Sequence, residues 1–164
     1  MAKYAFDTNV FIDAFRDATA EAAMLAFLER ALPFTFLSAV VMQELAAGAR
    51  TPKQARKLEQ LVFRPFDRRG RVFAPSSGAF VASGRLLASV AGRDGWDAVR
   101  DKPSLLNDAL IATSCRECGI TLITQDSDYT RFQPFLKKWR HVPPWPVADH
   151  SSRHLGRPRS DIRH

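Results

Sequence analysis

The chain has 164 residues, 46% apolar and 25% charged, with a formal net charge of +7 and a pI near 10.0. That length holds one sizeable core in an ordinary globular composition, and two cysteines cannot build a disulfide scaffold. No apolar run approaches the roughly 20 residues that span a bilayer, and Asp7 and Asp13 interrupt the N-terminal stretch where a signal peptide needs an unbroken apolar run, so a cytoplasmic chain is expected.

The pattern alternates strands with helices. Lys3–Phe6 reads as a strand ending at Asp7-Thr8-Asn9, residues that favour helix N-caps. Helices follow over Val10–Arg16 and Glu21–Ala31, and Pro33 ends the second before a strand over Phe34–Leu37. Ser38 caps a helix from Ala39 to about Gly48, and Pro52 opens another to about Phe63. Arg64–Pro75 reads as a loop or short hairpin with a basic tip at Asp67-Arg68-Arg69-Gly70-Arg71. A helix over Ser77–Val90 stops at Gly92, and Arg93–Pro103 is a charged loop whose Trp96 reads first as packing on the body and second as stacking a base. Ser104 caps a helix to about Cys118, with Gly119 at its C-terminal cap. A strand at Ile120–Thr124, a short helix over Tyr129–Leu136 and an edge strand over Trp139–Val142 complete the body. Strands separated by helices predict a parallel α/β sheet.

The charge is uneven. Residues 1–136 hold 17 Lys and Arg against 15 Asp and Glu; residues 137–164 hold seven against Asp149 and Asp161. Residues 143–164 thus form a basic tail containing Pro, Arg and His, read either as a disordered, solubilising end or as a contact for a polyanion. His141, His150, His154 and His164 are the only histidines. Chemistry in the body must therefore proceed without an imidazole base, and a His-ligated zinc site is not expected.

Four carboxylates occupy unusual places. Asp7 follows an apolar strand, either capping the next helix or standing where open α/β sheets bind ligands. Glu44 falls on the apolar stripe of Val40, Val41, Leu45 and Gly48, where it is either buried, paired or on a metal, or reaches solvent at the stripe's edge. Asp108 interrupts a helix apolar on nearly all sides, within reach of its positive end. Asp126 ends a strand, with Asp128 two residues on; either suits an Asx turn. In a parallel sheet the carboxyl ends of the strands lie on one side, so the four can converge. Such a cluster repels itself, and a divalent cation relieves it. Oxygen-only ligands suit Mg²⁺ or Mn²⁺. An ion held there would ionise a water and clamp a phosphodiester without any histidine.

Four stretches, Tyr4–Asp13, Ser38–Leu45, Asn107–Ala112 and Leu122–Tyr129, together resemble the PIN-domain ribonucleases, and specifically the VapC-type toxins of bacterial toxin–antitoxin pairs, over roughly residues 3–142. The resemblance implies a three-layer α/β/α sandwich with a central, mainly parallel sheet. It also implies a Mg²⁺- or Mn²⁺-dependent endoribonuclease in a nuclease domain over residues 1–142. Asp7, Glu44, Asp108 and Asp126 match the family's catalytic acidic positions and metal ligands. Asp128 matches a further, often acidic position beside the metal, and Thr8 and Thr124 match supporting polar positions. An RNA substrate, a cognate antitoxin, a homodimer, and contact with DNA only through the antitoxin are implied; a membrane is not. The loop Gly92–Pro103 and the tail depart from the family's pattern. A processing nuclease without an antitoxin, and a non-catalytic RNA- or protein-binding module on the same fold, are the rival readings.

Cys115-Arg116-Glu117-Cys118 sits at a helix C-terminus, where the dipole disfavours thiolate, so neither redox nor zinc chemistry is expected of it. Arg68, Arg69, Arg71, Arg93, Arg100 and Arg116 read first as solvated charges and second as contacts for an RNA backbone. Phe11, Phe15, Leu25, Phe27 and Leu28 read first as core and second as a dimer or antitoxin face.

Overall fold

The computed structural model describes residues 2–146. Five parallel strands form one sheet: β1 (Lys3–Phe6), β2 (Thr35–Ser38), β3 (Val72–Phe73), β4 (Ile120–Ile123) and β5 (His141–Val142), in the order β3-β2-β1-β4-β5. Helices α1 (Thr8–Arg16) and α2 (Ala18–Ala31) join β1 to β2, and α3 (Ala39–Gly48), α4 (Pro52–Leu58) and α5 (Arg64–Asp67) join β2 to β3. Helices α6 (Ser77–Asp94), α7 (Trp96–Arg100) and α8 (Ser104–Cys118) lead to β4, and a 3-10 helix, Ser127–Phe132, leads on towards β5. Right-handed crossovers put α1–α5 on one face and α6–α8 on the other, because the chain reverses its direction across the sheet after β3. The sheet between two helical layers is the three-layer α/β/α arrangement expected.

Alternation along β1 explains the core. Tyr4 and Phe6 point to one face and meet Phe27 of α2, with ring centroids 5.3 and 5.9 Å away. Ala5 points to the other face, fully buried. Helix α8 is covered on nearly all sides, with eight buried residues, as its apolar sequence requires. Trp145 stacks on Phe27 (5.3 Å) and meets Phe6 edge-on (5.4 Å). The packed body thus continues past Val142, the boundary expected from the sequence. The rest of the expected tail, with His150, His154 and His164, lies outside the described residues.

Several local expectations are corrected. Arg64–Pro75 is not a hairpin: the helix from Pro52 continues through a π-helical turn, Glu59–Phe63, into α5, and Val72–Phe73 then joins the sheet parallel to β2. Pro65, which has no N–H to donate, directly follows the π-helical turn, in the first turn of α5. Gly92 does not stop α6, which runs to Asp94 and ends at Gly95, whose φ of 90° favours glycine. The expected charged loop contains α7, and Trp96 on it is 69% exposed rather than packed. Ser104 does not cap α8; Pro103 precedes that helix without a side-chain cap. The last short helix is a 3-10 segment, and β5 is shorter than expected. Gly119 closes α8 in the left-handed conformation its position demands.

Phe27 joins α2, β1 and Trp145, and its side chain is fully buried. Phe27→Ala should lower the free energy of unfolding by about 3–5 kcal/mol, read by urea denaturation. A loss below about 1 kcal/mol would contradict this packing.

Candidate active site

The site forms where β1 and β4 lie side by side and their chains leave to opposite faces, the crevice in which open α/β sheets hold ligands. Asp7 stands at the end of β1. Its N–H donates to Ile123 O at 2.9 Å, tying it to β4. Its carboxylate accepts from four donors: Thr8 N (2.9 Å), Asn9 Nδ2 (2.9 Å), Thr124 Oγ1 (2.7 Å) and the Tyr129 hydroxyl (3.3 Å). Asp7 therefore caps α1, and it also stands at the carboxyl end of β1. At 4% exposure, burial pushes its pKa up with help from the charge of Glu44, while the bonds from Thr124, Thr8 and Tyr129 pull it down.

Asp108 faces Asp7 across Tyr129, whose hydroxyl is 3.4 Å from Asp108 Oδ1. Burial and the neighbouring carboxylates hold the Tyr129 phenol protonated, so it is a proton donor shared by the two aspartates. The other oxygen, Asp108 Oδ2, is buried without any hydrogen-bond partner. Burial first, then the charges of Asp7, Asp126 and Glu44, push the Asp108 pKa up to about 7.

Glu44 is half-buried and held by two donors, Thr8 Oγ1 from α1 and Asn107 Nδ2 from α8, the latter at 2.9 Å. That pairing is one of the two alternatives left open by its place on the apolar stripe. Asp126 caps the 3-10 helix through Asp128 N at 2.8 Å, and its own N–H donates to Thr124 Oγ1 at 3.0 Å. Asp128 pairs with Lys102 and, at 3.5 Å, with Arg131. Thr8 and Thr124 thus each bond a site carboxylate. Asn9, Asn107 and Tyr129 do the same, yet sequence reasoning gave them no role. Their signal was adjacency: each lies within two residues of a candidate carboxylate.

The structure brings Asp7 and Asp108 onto one donor and sets Glu44 and Asp126 close enough for Asp108 to feel their charge. Among the described residues, no three His, Cys, Asp or Glu side chains are drawn tightly enough together to form a metal cage. The donor set nevertheless fits a hard divalent cation, because every candidate ligand is an oxygen and Asp108 Oδ2 is a buried acceptor without a partner. The C-x-x-C pair offers no rival site: Cys115 is fully buried, with its thiol pKa pushed up, and both cysteines are free. No helix among the described residues is long and apolar enough to cross a membrane.

The PIN domain family model matches residues 4–133, and the chain belongs to that family, whose members are nucleases. Its fold is similar to that of DNA bound VapBC from Salmonella typhimurium, with 19% identity over 87% of this chain and 98% of that one, and a TM-score of 0.63. It is similar to FitAcB from Neisseria gonorrhoeae, with 20% identity over 88% and 99% of the two chains and a TM-score of 0.59. It is also similar to a toxin–antitoxin complex from Klebsiella pneumoniae, with 19% identity over 88% and 100% and a TM-score of 0.53. No curated protein matches the chain by sequence.

The raised pKa of Asp108 links the site to stability. A carboxyl whose pKa rises on folding binds more protons folded than unfolded. Its stabilising contribution is complete below the unfolded value of about 4 and is lost as pH climbs through about 7. Asp7 shifts in the same direction. In EDTA, unfolding free energy should fall by about 2 kcal/mol between pH 5.5 and 8. Asp108→Asn should flatten that slope and leave the protein more stable than wild type at the upper pH. Denaturant titrations across the range read both effects, and stability that rises with pH would contradict the assignment.

Proposed function

We propose that the chain is a Mg²⁺- or Mn²⁺-dependent endoribonuclease and the toxin of a toxin–antitoxin pair. The observation that carries the reading is the buried, unpartnered oxygen of Asp108 beside Asp7 at the carboxyl ends of β1 and β4 in a PIN domain. Asp7, Asp108, Glu44 and Asp126 would hold the cation, with Asp128 outside them. A bound divalent ion supplies the charge that offsets an in-line displacement at phosphorus and eases ionisation of the attacking water.

The chain's own groups prepare that chemistry. Thr124, Asn9 and the Thr8 amide fix the Asp7 carboxylate so that it need not reorganise. Tyr129 holds its proton between Asp7 and Asp108 and orients both. Thr8 and Asn107 aim Glu44 across the crevice. Asp108 Oδ2 is free to accept a proton or a cation, with a pKa close to working pH. The likeness to VapBC, FitAcB and a toxin–antitoxin complex supports an antitoxin partner, and a homodimer acting in the cytoplasm completes the proposal. Of the residues read as core or partner face, Phe11 and Phe27 are buried while Phe15 (38%) and Leu25 (50%) are exposed, so α1 and α2 retain apolar side chains for a partner.

Cleavage of total RNA by purified wild type, Asp7→Asn and Asp108→Asn, each with Mg²⁺, Mn²⁺ or EDTA, tests the reading. Fragments are expected from wild type with metal only, and either variant should lose about a hundredfold or more in rate while remaining folded. Equal cleavage in EDTA, or by a folded variant, would contradict it.

A further inference from the structure

A strip of basic and aromatic side chains leaves the carboxylate site along the flank made by α6, α8 and the 3-10 helix. It starts at Asp128, which pairs with Lys102 and Arg131. The Arg131 carbonyl accepts from Arg93 Nη1 at 3.5 Å. Arg93 also forks onto Asp94 at 2.6 and 2.7 Å, and its guanidinium carbon lies 5.3 Å from the centre of the Phe135 ring. Phe135 in turn lines an open cavity of about 310 Å³ with Arg116, Lys137 and Lys138. Helix α8 fixes the direction. Asp108 lies near its start, at the site, and Arg116 in its last turn, at the opposite edge of the sheet. The two are about 12 Å apart along the axis, room for a few nucleotides.

Asp94 and Asp128 offset part of the charge near the site. The three cations of the cavity form no ion pair among the described residues. Lys138 keeps a long charged side chain at a φ of 59°, a left-handed conformation that glycine would adopt without strain. Trp96 is on the short helix between Asp94, which pairs with Arg93, and Lys102, which pairs with Asp128, and is 69% exposed. A protein partner would need a packed apolar centre, whereas Phe135 is the one large apolar side chain exposed along the cavity. Separate aromatic faces among unpaired cations suit single-stranded nucleic acid, whose bases stack while its phosphates meet the charges.

We propose that this strip is a track for single-stranded RNA, with the cavity of Arg116, Lys137 and Lys138 gripping backbone phosphates and Phe135 and Trp96 stacking bases on the way to the carboxylates. The proposal rests on reading the site as a ribonuclease. It is tested separately from that reading, by binding without turnover. A fluorescein-labelled oligouridylate is titrated by anisotropy with the full-length protein in EDTA over a range of salt, beside an RNA duplex and a polyglutamate.

Wild type should prefer the single strand. Arg116→Ala/Lys137→Ala/Lys138→Gly should reduce the log–log salt slope by about 2, as three phosphate contacts require. Lys138→Gly alone should weaken binding without lowering the melting temperature, which separates binding from folding. Trp96→Ala should weaken binding about fivefold or more with an unchanged salt slope, the mark of stacking. Arg68→Ala/Arg69→Ala, in the basic turn before β3, should bind as wild type does.

Several results would overturn the track: no binding by wild type, unchanged binding by the triple variant, loss confined to the Arg68/Arg69 variant, or equal capture of polyglutamate by the same residues. A wild type that binds through these residues yet cuts nothing would keep the track and remove the nuclease reading. Cleavage with strip-independent binding would do the reverse.

Discussion

The structure turns on two carboxylates buried where water cannot screen them. Asp7 and Asp108 share one phenolic donor, Tyr129, at the ends of adjacent parallel strands. Burial of like charges is unfavourable unless something compensates. Asp7 is compensated by a dense set of donors, but Asp108 is not. Its unpartnered oxygen and raised pKa are two expressions of the same unmet demand for positive charge.

Strand order creates that situation. With β1 and β4 central and adjacent, α1 leaves β1 for one face while the segment after β4 leaves for the other. Asp7 and Asp126 are thereby fixed at strand ends, and α3 and α8 bring Glu44 and Asp108 in from the helical layers. Asn107 and Thr8 meet on Glu44, so one hydrogen-bonded group joins α1, α3 and α8. The rest of the core serves this arrangement. The buried faces of α8 and the Phe6–Phe27–Trp145 packing hold the strand ends against the repulsion of the acids they carry. The opposite edge of the sheet gathers cations that form no ion pair among the described residues, so the described body is polarised along its strands.

Much of this was legible in the chain. Short apolar runs and helical patterns locate β1, β2, β4 and most helices, and the acids stood out because apolar surroundings make carboxylates conspicuous. Other features were hidden for specific reasons. Arg64–Pro75 reads as a turn because Pro65 and Gly70 punctuate it, yet Pro65 falls at a helix start and Val72–Phe73 pairs only through long-range contact. Trp96 was expected to pack because large aromatics do so on average, while on its short helix it is Val99 that packs against the core. Tyr129 stood beside Asp128 in the sequence, but its bonds go to residues 122 and 21 positions away, which that adjacency does not reveal. The pairing of Asp128 with Lys102 likewise depends on how α7 and its neighbours return to the site.

The claim at the centre is that Asp108 and its neighbours are built to receive a divalent cation. Calorimetric titration of Mn²⁺ into the wild-type protein at pH 7, in two buffers of different ionisation enthalpy, measures binding and linked proton release together. A carboxyl with a pKa of about 7 should give up about half a proton as the ion binds, and Asp108→Asn should abolish both signals. Absence of binding, or binding with no proton released and no dependence on Asp108, would contradict the account.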